Sequence, residues 1–461
     1  DGRAQAASRE QGLGQAFLNL GRVPKSLEHF ERALALYGRL APRSGAGLVL
    51  SLLRQVAVQV SKRLRPFQIV ESPARPENDL QAAARIYFSL SQLYYFQNNA
   101  LLATDATLRA LNLGEEARNY ADLGRYFING CLAMELVSLR SLADTYYRQA
   151  FAVAERSTDL SAVAYVKLIG SIYDLDMGRW DSAQTALDQA IELNLQLGDE
   201  RWRREVLTAY GYLCYHRGQF AAGQARYVEG YNSALRSDDA QHKGWALMGQ
   251  GHGALRLGDL DKAILILESA LELDMKSEPR LEANILAMLG VARLRGGHLD
   301  AAHQTADKAS AVIAKIPAQL TYQLEGYACI AEVYLALWEA NGYRSSSGDA
   351  ELPQKAHNAY KKLLKYAHTY PSSLGRAQLA EGAYFWLSGQ ATRANQSWRN
   401  ALAEADRLAM PYVQGLAYCE IGRHTDKADP SRKGNLSRAA ELFDKTGAAW
   451  DLKRATELLS I

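Results

Sequence analysis

Residues Pro371–His424 read PSSLGRAQLAEGAYFWLSGQATRANQSWRNALAEADRLAMPYVQGLAYCEIGRH. Within this stretch Gly382, Phe385, Gly389, Ala394, Trp398 and Ala401 alternate small and aromatic residues at helical spacing. That series fits two antiparallel helices that meet at a tight turn. Gly389 closes the first helix, because a residue without Cβ enters the left-handed region without steric cost. Ala394 and Ala401 let the second helix approach closely, and the Trp398 ring fills the space between the two.

The same spacing recurs along the chain, and it is the spacing of a tetratricopeptide repeat. An early copy carries Leu13, Gly14, Phe17, Gly21, Ser26, Phe30 and Ala33. Another, near Asp79, carries Leu90, Ser91, Tyr94, Asn98, Ala103 and Ala110, and the next keeps Ala143, Tyr147 and Ala150 in its second helix. The turn glycines Gly178, Gly218, Gly258 and Gly297 are separated by 218−178 = 40, 258−218 = 40 and 297−258 = 39 residues. The usual period is about 34. The surplus is expected in the polar outer connections TDLSA, LGDERWRRE, SDDAQ and KSEPRLE, with longer helices taking a share.

The expected fold is therefore all-α: a tetratricopeptide-like superhelical solenoid of about ten helix hairpins. Residues 1–65 form a first repeat and a linking helix, GLVLSLLRQVAVQVSKRL. Residues 66–79, with three prolines and no helical period, form a loop or insertion, and residues 80–461 form the main stack. A Gly/Ser-rich insertion is expected at Asn341–Pro353, and TDKADPSRKG interrupts the tenth pair. In the last helix Lys453, Arg454 and Glu457 alternate with Leu452, Ala455 and Leu458, as suits a cap with one polar face. A large side chain at Gly211, Gly251 or Gly290 is expected to push two helices apart.

Composition bounds the function. Lys and Arg number 53 and Asp and Glu 50, so the net charge of +3 gives no reason to expect a nucleic-acid or membrane partner. No apolar run reaches the roughly 20 residues needed to span a bilayer, and no signal segment opens the sequence. Cys131, Cys214, Cys329 and Cys419 lie far apart on first-helix segments. They read as small buried hydrophobes in a reducing, cytoplasmic setting. Asp1 is not an initiator methionine, so the chain is expected to continue a longer polypeptide.

No motif carries catalytic chemistry. GxxxxGK[ST] and HExxH do not occur, no close His/Cys set forms a metal site, and no cofactor is called for. GQGHGALRLG (Gly249–Gly258) has the glycines of a phosphate loop but no preceding strand, and reads as a helix crossing. One constellation remains. First helices of such stacks line the concave surface, and there Tyr212, Tyr215, His216, Trp245, Met248, His252, Arg256 and Arg295 place aromatics beside cations. Aromatic and Arg side chains are those used by binding hot spots, so this surface is the candidate site for a protein, peptide or small effector. The other reading is that Tyr212 and Trp245 pack between neighbouring pairs.

The segments LYYFQNNALLATDATLRALNLGEEA, WALMGQGHGALRLGDLDKA and AEVYLALWEA resemble one known region. So does WRNALAEADRLAMPYVQGLAYCEIGRH together with ELFDKTGAAWDLKRA. The region is the C-terminal helical-repeat arm of large bacterial signalling ATPases. In them a class III adenylate/guanylate cyclase domain, or a protein kinase domain, precedes an AAA/STAND-type ATPase. The resemblance runs from about residue 80 to the end, with departures at 66–78 and around Ser345–Ser347. It implies a sensor and scaffold arm acting on upstream ATPase and output domains, and it transfers no catalytic residue. A constitutive peptide-binding scaffold and an oligomerisation module are the alternatives.

Overall fold

The computed structural model describes residues 2–19, 22–39, 45–63, 79–97, 99–117, 120–273, 278–316, 322–340 and 351–460. Gly21, Asn98, the 66–78 loop and residues 341–350 of the expected insertion lie outside them. Among the described residues there are 22 α-helices and no strand. The helices gather into two compact units, residues 1–170 and 171–461.

In unit 1, α1 (Gly2–Asn19) and α2 (Val23–Leu36) form a hairpin, as do α4 (Asp79–Phe96) with α5 (Ala100–Ala117) and α6 (Tyr120–Leu136) with α7 (Arg140–Ala154). Between the first two hairpins α3 (Gly45–Arg63) has no antiparallel partner and lies on α5. The Phe30 ring sits where a Cβ on Gly14 would come within 2.7 Å of it, and Ser26 Oγ donates to the Gly14 carbonyl at 2.8 Å.

α8 (Leu160–Met177) holds the boundary between the units and turns at Gly178 into α9 (Trp180–Leu197). Unit 2 continues with α10 (Glu200–His216) and α11 (Phe220–Arg236), α12 (Ala240–Leu257) and α13 (Leu260–Leu271), and α14 (Pro279–Arg295) and α15 (Leu299–Ile313). Then come α16 (Leu324–Ala340) and α17 (Glu351–Thr369), α18 (Leu374–Leu387) and α19 (Ala391–Arg407), and α20 (Pro411–Arg423) and α21 (Pro430–Thr446), before the single α22 (Ala449–Ser460). The chain is a tetratricopeptide-like helical solenoid.

The turns follow from one or two residues each. Gly258 ends α12 at φ +86°, and the next residue, Asp259, caps α13 by accepting from the Lys262 amide at 3.3 Å. Gly198 and Asp199 repeat the device between α9 and α10. Of the two expected sources of the long period, the longer helices therefore take the larger share. LGDERWRRE is not an outer connection, because Asp199 starts α10 at once and Arg201–Glu205 are helical. Helices of 17 or 18 residues absorb most of the surplus in α8–α12. The end of the expected insertion, Glu351–Pro353, is the first turn of α17, with Leu352 buried.

In the α18–α19 hairpin Trp398 is fully buried between Ala394 and Ala401. Its indole occupies the place a Cβ on Gly382 would take and stacks on His424 at 4.8 Å.

Unit 2 returns on itself. A Cβ on Gly178 would meet Leu408 at 2.5 Å, one on Gly218 would meet Thr446 at 2.5 Å, and one on Gly258 the Trp450 amide at 2.9 Å. Turns from its first hairpins thus touch turns from its last, and α22 lies against α12. The last helix does more than cap: Lys453 and Glu457 face water and Ala455 is buried as expected, but Asp451 is buried as well.

Candidate functional site

The inner layer of unit 2 is built from α10, α12, α14, α16, α18 and α20, the first helix of each hairpin, with α22 added. Each of the six first helices is buried around most of its circumference, so charged side chains on it must find partners within the layer. Three arginines and three acids do so. Arg256 of α12 is completely buried; its Nη2 donates to Glu325 Oε2 of α16 at 2.6 Å and its Nη1 to the Tyr412 hydroxyl of α20 at 3.1 Å. Arg295 of α14 donates to Glu332 Oε1 at 3.0 Å and to Asp451 Oδ2 of α22 at 3.2 Å. Arg376 of α18 donates to Glu332 Oε2 at 3.4 Å and to the Tyr215 hydroxyl of α10 at 3.3 Å. The Tyr412 hydroxyl in turn donates to Asp451 Oδ2 at 3.0 Å. Formal charge within the set is 3 − 3 = 0 (Arg256, Arg295 and Arg376 against Glu325, Glu332 and Asp451).

The electrostatics follow from that pairing. Burial alone would raise the Glu325 carboxyl, but Arg256 and Arg376 outweigh it and hold the group well below the usual carboxylate range. Glu332 is held down in the same way by Arg295 and Arg376. His252 accepts from Arg256 Nε at 3.2 Å, and burial drops its pKa to about 3, so it is neutral. Burial does the same to His216, also to about 3.

All eight candidate residues lie in this layer, Met248 as a buried core residue of α12. Tyr215, His252 and Arg256 are in mutual contact, with Tyr215 and His252 ring centroids 4.5 Å apart and the Arg256 guanidinium 5.8 Å from the Tyr215 ring centre. Arg295 joins them through Glu332 and Asp451 rather than directly. Tyr212 meets His216 edge-on at 4.6 Å, and His216 stacks on Trp180 at 4.8 Å. Trp245 is linked to Tyr212 by Tyr322, whose ring lies 6.2 Å from one and 5.0 Å from the other. Each candidate except Arg295, which is half-buried, is buried: Trp245, the most exposed in the aromatic group, retains 9% of its surface, and Arg256 none. The concave surface expected to be open is occupied by α16, α18, α20 and α22 of the same chain.

Sequence reasoning missed Glu325, Glu332, Arg376, Tyr412 and Asp451. A signal was present in LEGYACIAEVYLALWEA, where Glu325 and Glu332 stand seven apart on one face of an apolar helix. Such a face demands cations opposite it. Among the described residues no group of three or more His, Cys, Asp or Glu is placed to hold a metal ion, and no helix is long and apolar enough to cross a membrane.

Fold and inner layer together define a helical-repeat protein with a tetratricopeptide-like fold. No family model matches the chain, and no curated protein matches its sequence. Among solved structures it is similar to a Rap protein complexed with Competence and Sporulation Factor, at 13% identity and a TM-score of 0.54, over 83% of this chain and 98% of that one. The Rap conjugation gene regulator of plasmid pLS20, in complex with the Phr* peptide, is 12% identical, with a TM-score of 0.48 over 80% of this chain and 98% of that one. A tetratricopeptide repeat protein from Parabacteroides merdae is 16% identical, with a TM-score of 0.30 over 64% and 98%. At these identities the likeness concerns the fold.

Proposed function

We propose that this chain is a non-catalytic recognition module, working in the cytoplasm as the sensor and scaffold arm of a larger ATPase-containing signalling protein. A protein, peptide or small effector is recognised by the inner layer of unit 2, through Tyr212, Tyr215, His216, Trp245, His252, Arg256 and Arg295. The observation that carries the reading is the set of six paired charges from Arg256 to Asp451, four of which (Arg256, Glu325, Arg376 and Asp451) are buried. Buried ion pairs contribute little net stability compared with apolar residues of similar size. They do offer exchangeable contacts: an incoming carboxylate takes the place of Asp451 or Glu332, and the displaced helix moves. Recognition then biases two arrangements of unit 2 through differential affinity for them. The Rap structure that shares the fold is itself a complex with a named factor, in keeping with this use of the architecture.

The upstream coding sequence tests the arm. A cyclase or kinase domain followed by a P-loop ATPase before Asp1 is the expected result, and a start codon immediately before Asp1 removes the ATPase from the proposal. For recognition, Trp245→Ala combined with Arg256→Gln in the full-length protein should abolish the effector response of its output activity while the fold, followed by circular dichroism, persists. A response unchanged by the pair assigns these residues to packing.

A further inference from the structure

α3 (Gly45–Arg63) is amphipathic in the reverse sense. Its polar face is the one turned inward. Ser51 Oγ donates to Asp105, Gln59 Nε2 donates to Asn112 Oδ1 at 2.7 Å and to Glu115 Oε2 at 2.9 Å, and Gln59 Oε1 accepts from the Tyr146 hydroxyl at 2.7 Å. Gln55 Oε1 accepts from Asn112 Nδ2 at 2.7 Å. Leu48 is the apolar residue buried with them, and other apolar side chains of α3 face outward. Leu50 is 71% exposed, Leu53 63% and Val60 50%, and Ala46 and Ala57 are exposed with them.

These five residues are spaced 4, 3, 4 and 3 apart (46, 50, 53, 57, 60). That is the seam of a coiled coil, in which apolar side chains repeat every 3.5 residues and insert between those of a facing helix. A scattered exposed leucine needs no explanation, but an ordered exposed seam marks an interaction surface. Its geometry selects a helix as partner. Its borders select the charge. On one border Arg54 opens onto a cavity of about 350 Å³ that also receives Arg39 and Arg109 and, from the packed side of α3, Val58 and Lys62. Lys62 is paired with Glu115 at 3.2 Å and Arg109 with Asp105 at 2.7 Å, whereas Arg39 and Arg54 have no ion-pair partner among the described residues. Counting the cavity's ionised groups, Arg39, Arg54, Lys62 and Arg109 against Glu115 and Glu116, gives 4 − 2 = +2.

We propose that α3 is a docking helix for an amphipathic, acid-flanked α-helix of another protein, whose apolar stripe covers Leu50, Leu53 and Val60 and whose carboxylates reach Arg54 and Arg39. Helix-on-helix recognition of this kind reads anchors at heptad spacing and orients by flanking charge. A second copy of α3 fits less well. The seam is about 21 Å long at 1.5 Å per residue whichever helix covers it, so charge decides between the two. A second copy would bring basic flanks to an equally basic partner.

The test uses the full chain and three synthetic three-heptad helices, fluorescently labelled: leucine seam with glutamate flanks, leucine seam with lysine flanks, and serine seam with glutamate flanks. Fluorescence anisotropy should show the Glu-flanked helix binding about tenfold or more tighter than the Lys-flanked one, with the serine helix not binding. Leu50→Ser with Leu53→Ser should abolish binding without lowering the melting temperature, since both side chains face water. Arg39→Glu with Arg54→Glu should reverse the charge preference. No binding of the Glu-flanked helix up to about 100 μM, equal affinity for the two flanks, or binding that survives Leu50→Ser with Leu53→Ser overturns the proposal. A concentration-dependent dimer in sedimentation that the leucine variants dissolve overturns it too, in favour of a second copy. The surface lies in unit 1, so failure here leaves the inner-layer reading of unit 2 untouched.

Discussion

His216 lies against the Trp180 ring, and neither of its ring nitrogens has a hydrogen-bond partner among the described residues. Nothing there welcomes a proton, and the same burial acts on His252, so both rings have pKa values near 3. His242, at the start of α12, is the opposite case. Burial works against its imidazolium, but Glu205 at 3.2 Å and Asp239 at 2.7 Å outweigh that cost and raise its pKa to about 9. An unfolded histidine titrates near 6.5, so the signs are fixed. Below about pH 6.5 the unfolded chain gains protons that folded His216 and His252 refuse, and stability falls as the solution is acidified. Above pH 6.5 folded His242 keeps its proton until about pH 9, and its contribution, on the order of 3 kcal/mol, is lost over that interval. Thermal unfolding of the chain should therefore be most resistant near pH 6.5 and weaken in both directions, with the acid limb starting above pH 5, before the carboxylates titrate. His242→Gln should flatten the alkaline limb and leave the acid limb in place. An alkaline limb that persists in that variant contradicts the assignment.

At the scale of the helix and hairpin, the question is which glycines are there for room. A Cβ on Gly251 of α12 would come within 2.6 Å of Leu267 on α13, and Leu267 is fully buried and cannot yield. On Gly290 of α14 the nearest atom is Val333 Cγ2 at 3.4 Å, an ordinary contact. The two positions look alike in sequence, yet Gly251→Ala should destabilise by about 1–3 kcal/mol from overpacking. Gly290→Ala should be neutral or stabilise by up to about 1 kcal/mol, because alanine is the better helix former. Urea unfolding midpoints of the two variants check this, and equal losses at both sites would contradict it. The comparison also marks what a sequence can reveal. Turns such as those at Gly218 and Gly258 are legible because a left-handed residue is a local need, met by few residue types, whereas Gly198-Asp199 lies hidden in the expected connection LGDERWRRE. The small residues of the hairpins are legible for the same reason: Gly382 and Trp398 answer each other 16 residues apart. How much space surrounds a given glycine is set by the neighbouring helix and its rotamers, and that is not a local property.

Across the molecule the local signals give out where contacts span many repeats. Arg256 meets Glu325 from 69 residues away and Tyr412 from 156, and Arg295 meets Asp451 from 156. Repeat spacing places the cations on the inner layer but does not say that later hairpins of unit 2 come back to cover them. The division between Gly170 and Ser171 falls inside α8 with no change in composition to mark it. The charge set ties α12 and α14 to α20 and α22 where unit 2 returns on itself, and its energetics are separable from the apolar packing there. Truncating one partner, as in Arg256→Ala, leaves the Glu325 carboxylate buried with Arg376 as its remaining cation, and should cost about 3–5 kcal/mol. Replacing both partners with apolar residues of similar volume, Arg256→Met with Glu325→Leu, removes both desolvation penalties and should restore stability to within about 1 kcal/mol of the parent or above it. The double-mutant cycle from denaturant unfolding thus carries a coupling of several kcal/mol if the pair is an enclosed ion pair. Costs that simply add would mean that water reaches Glu325 and that the inner layer is already open. If the parent-like stability of the double variant comes with loss of the effector response, the charges serve recognition and the packing alone serves the fold.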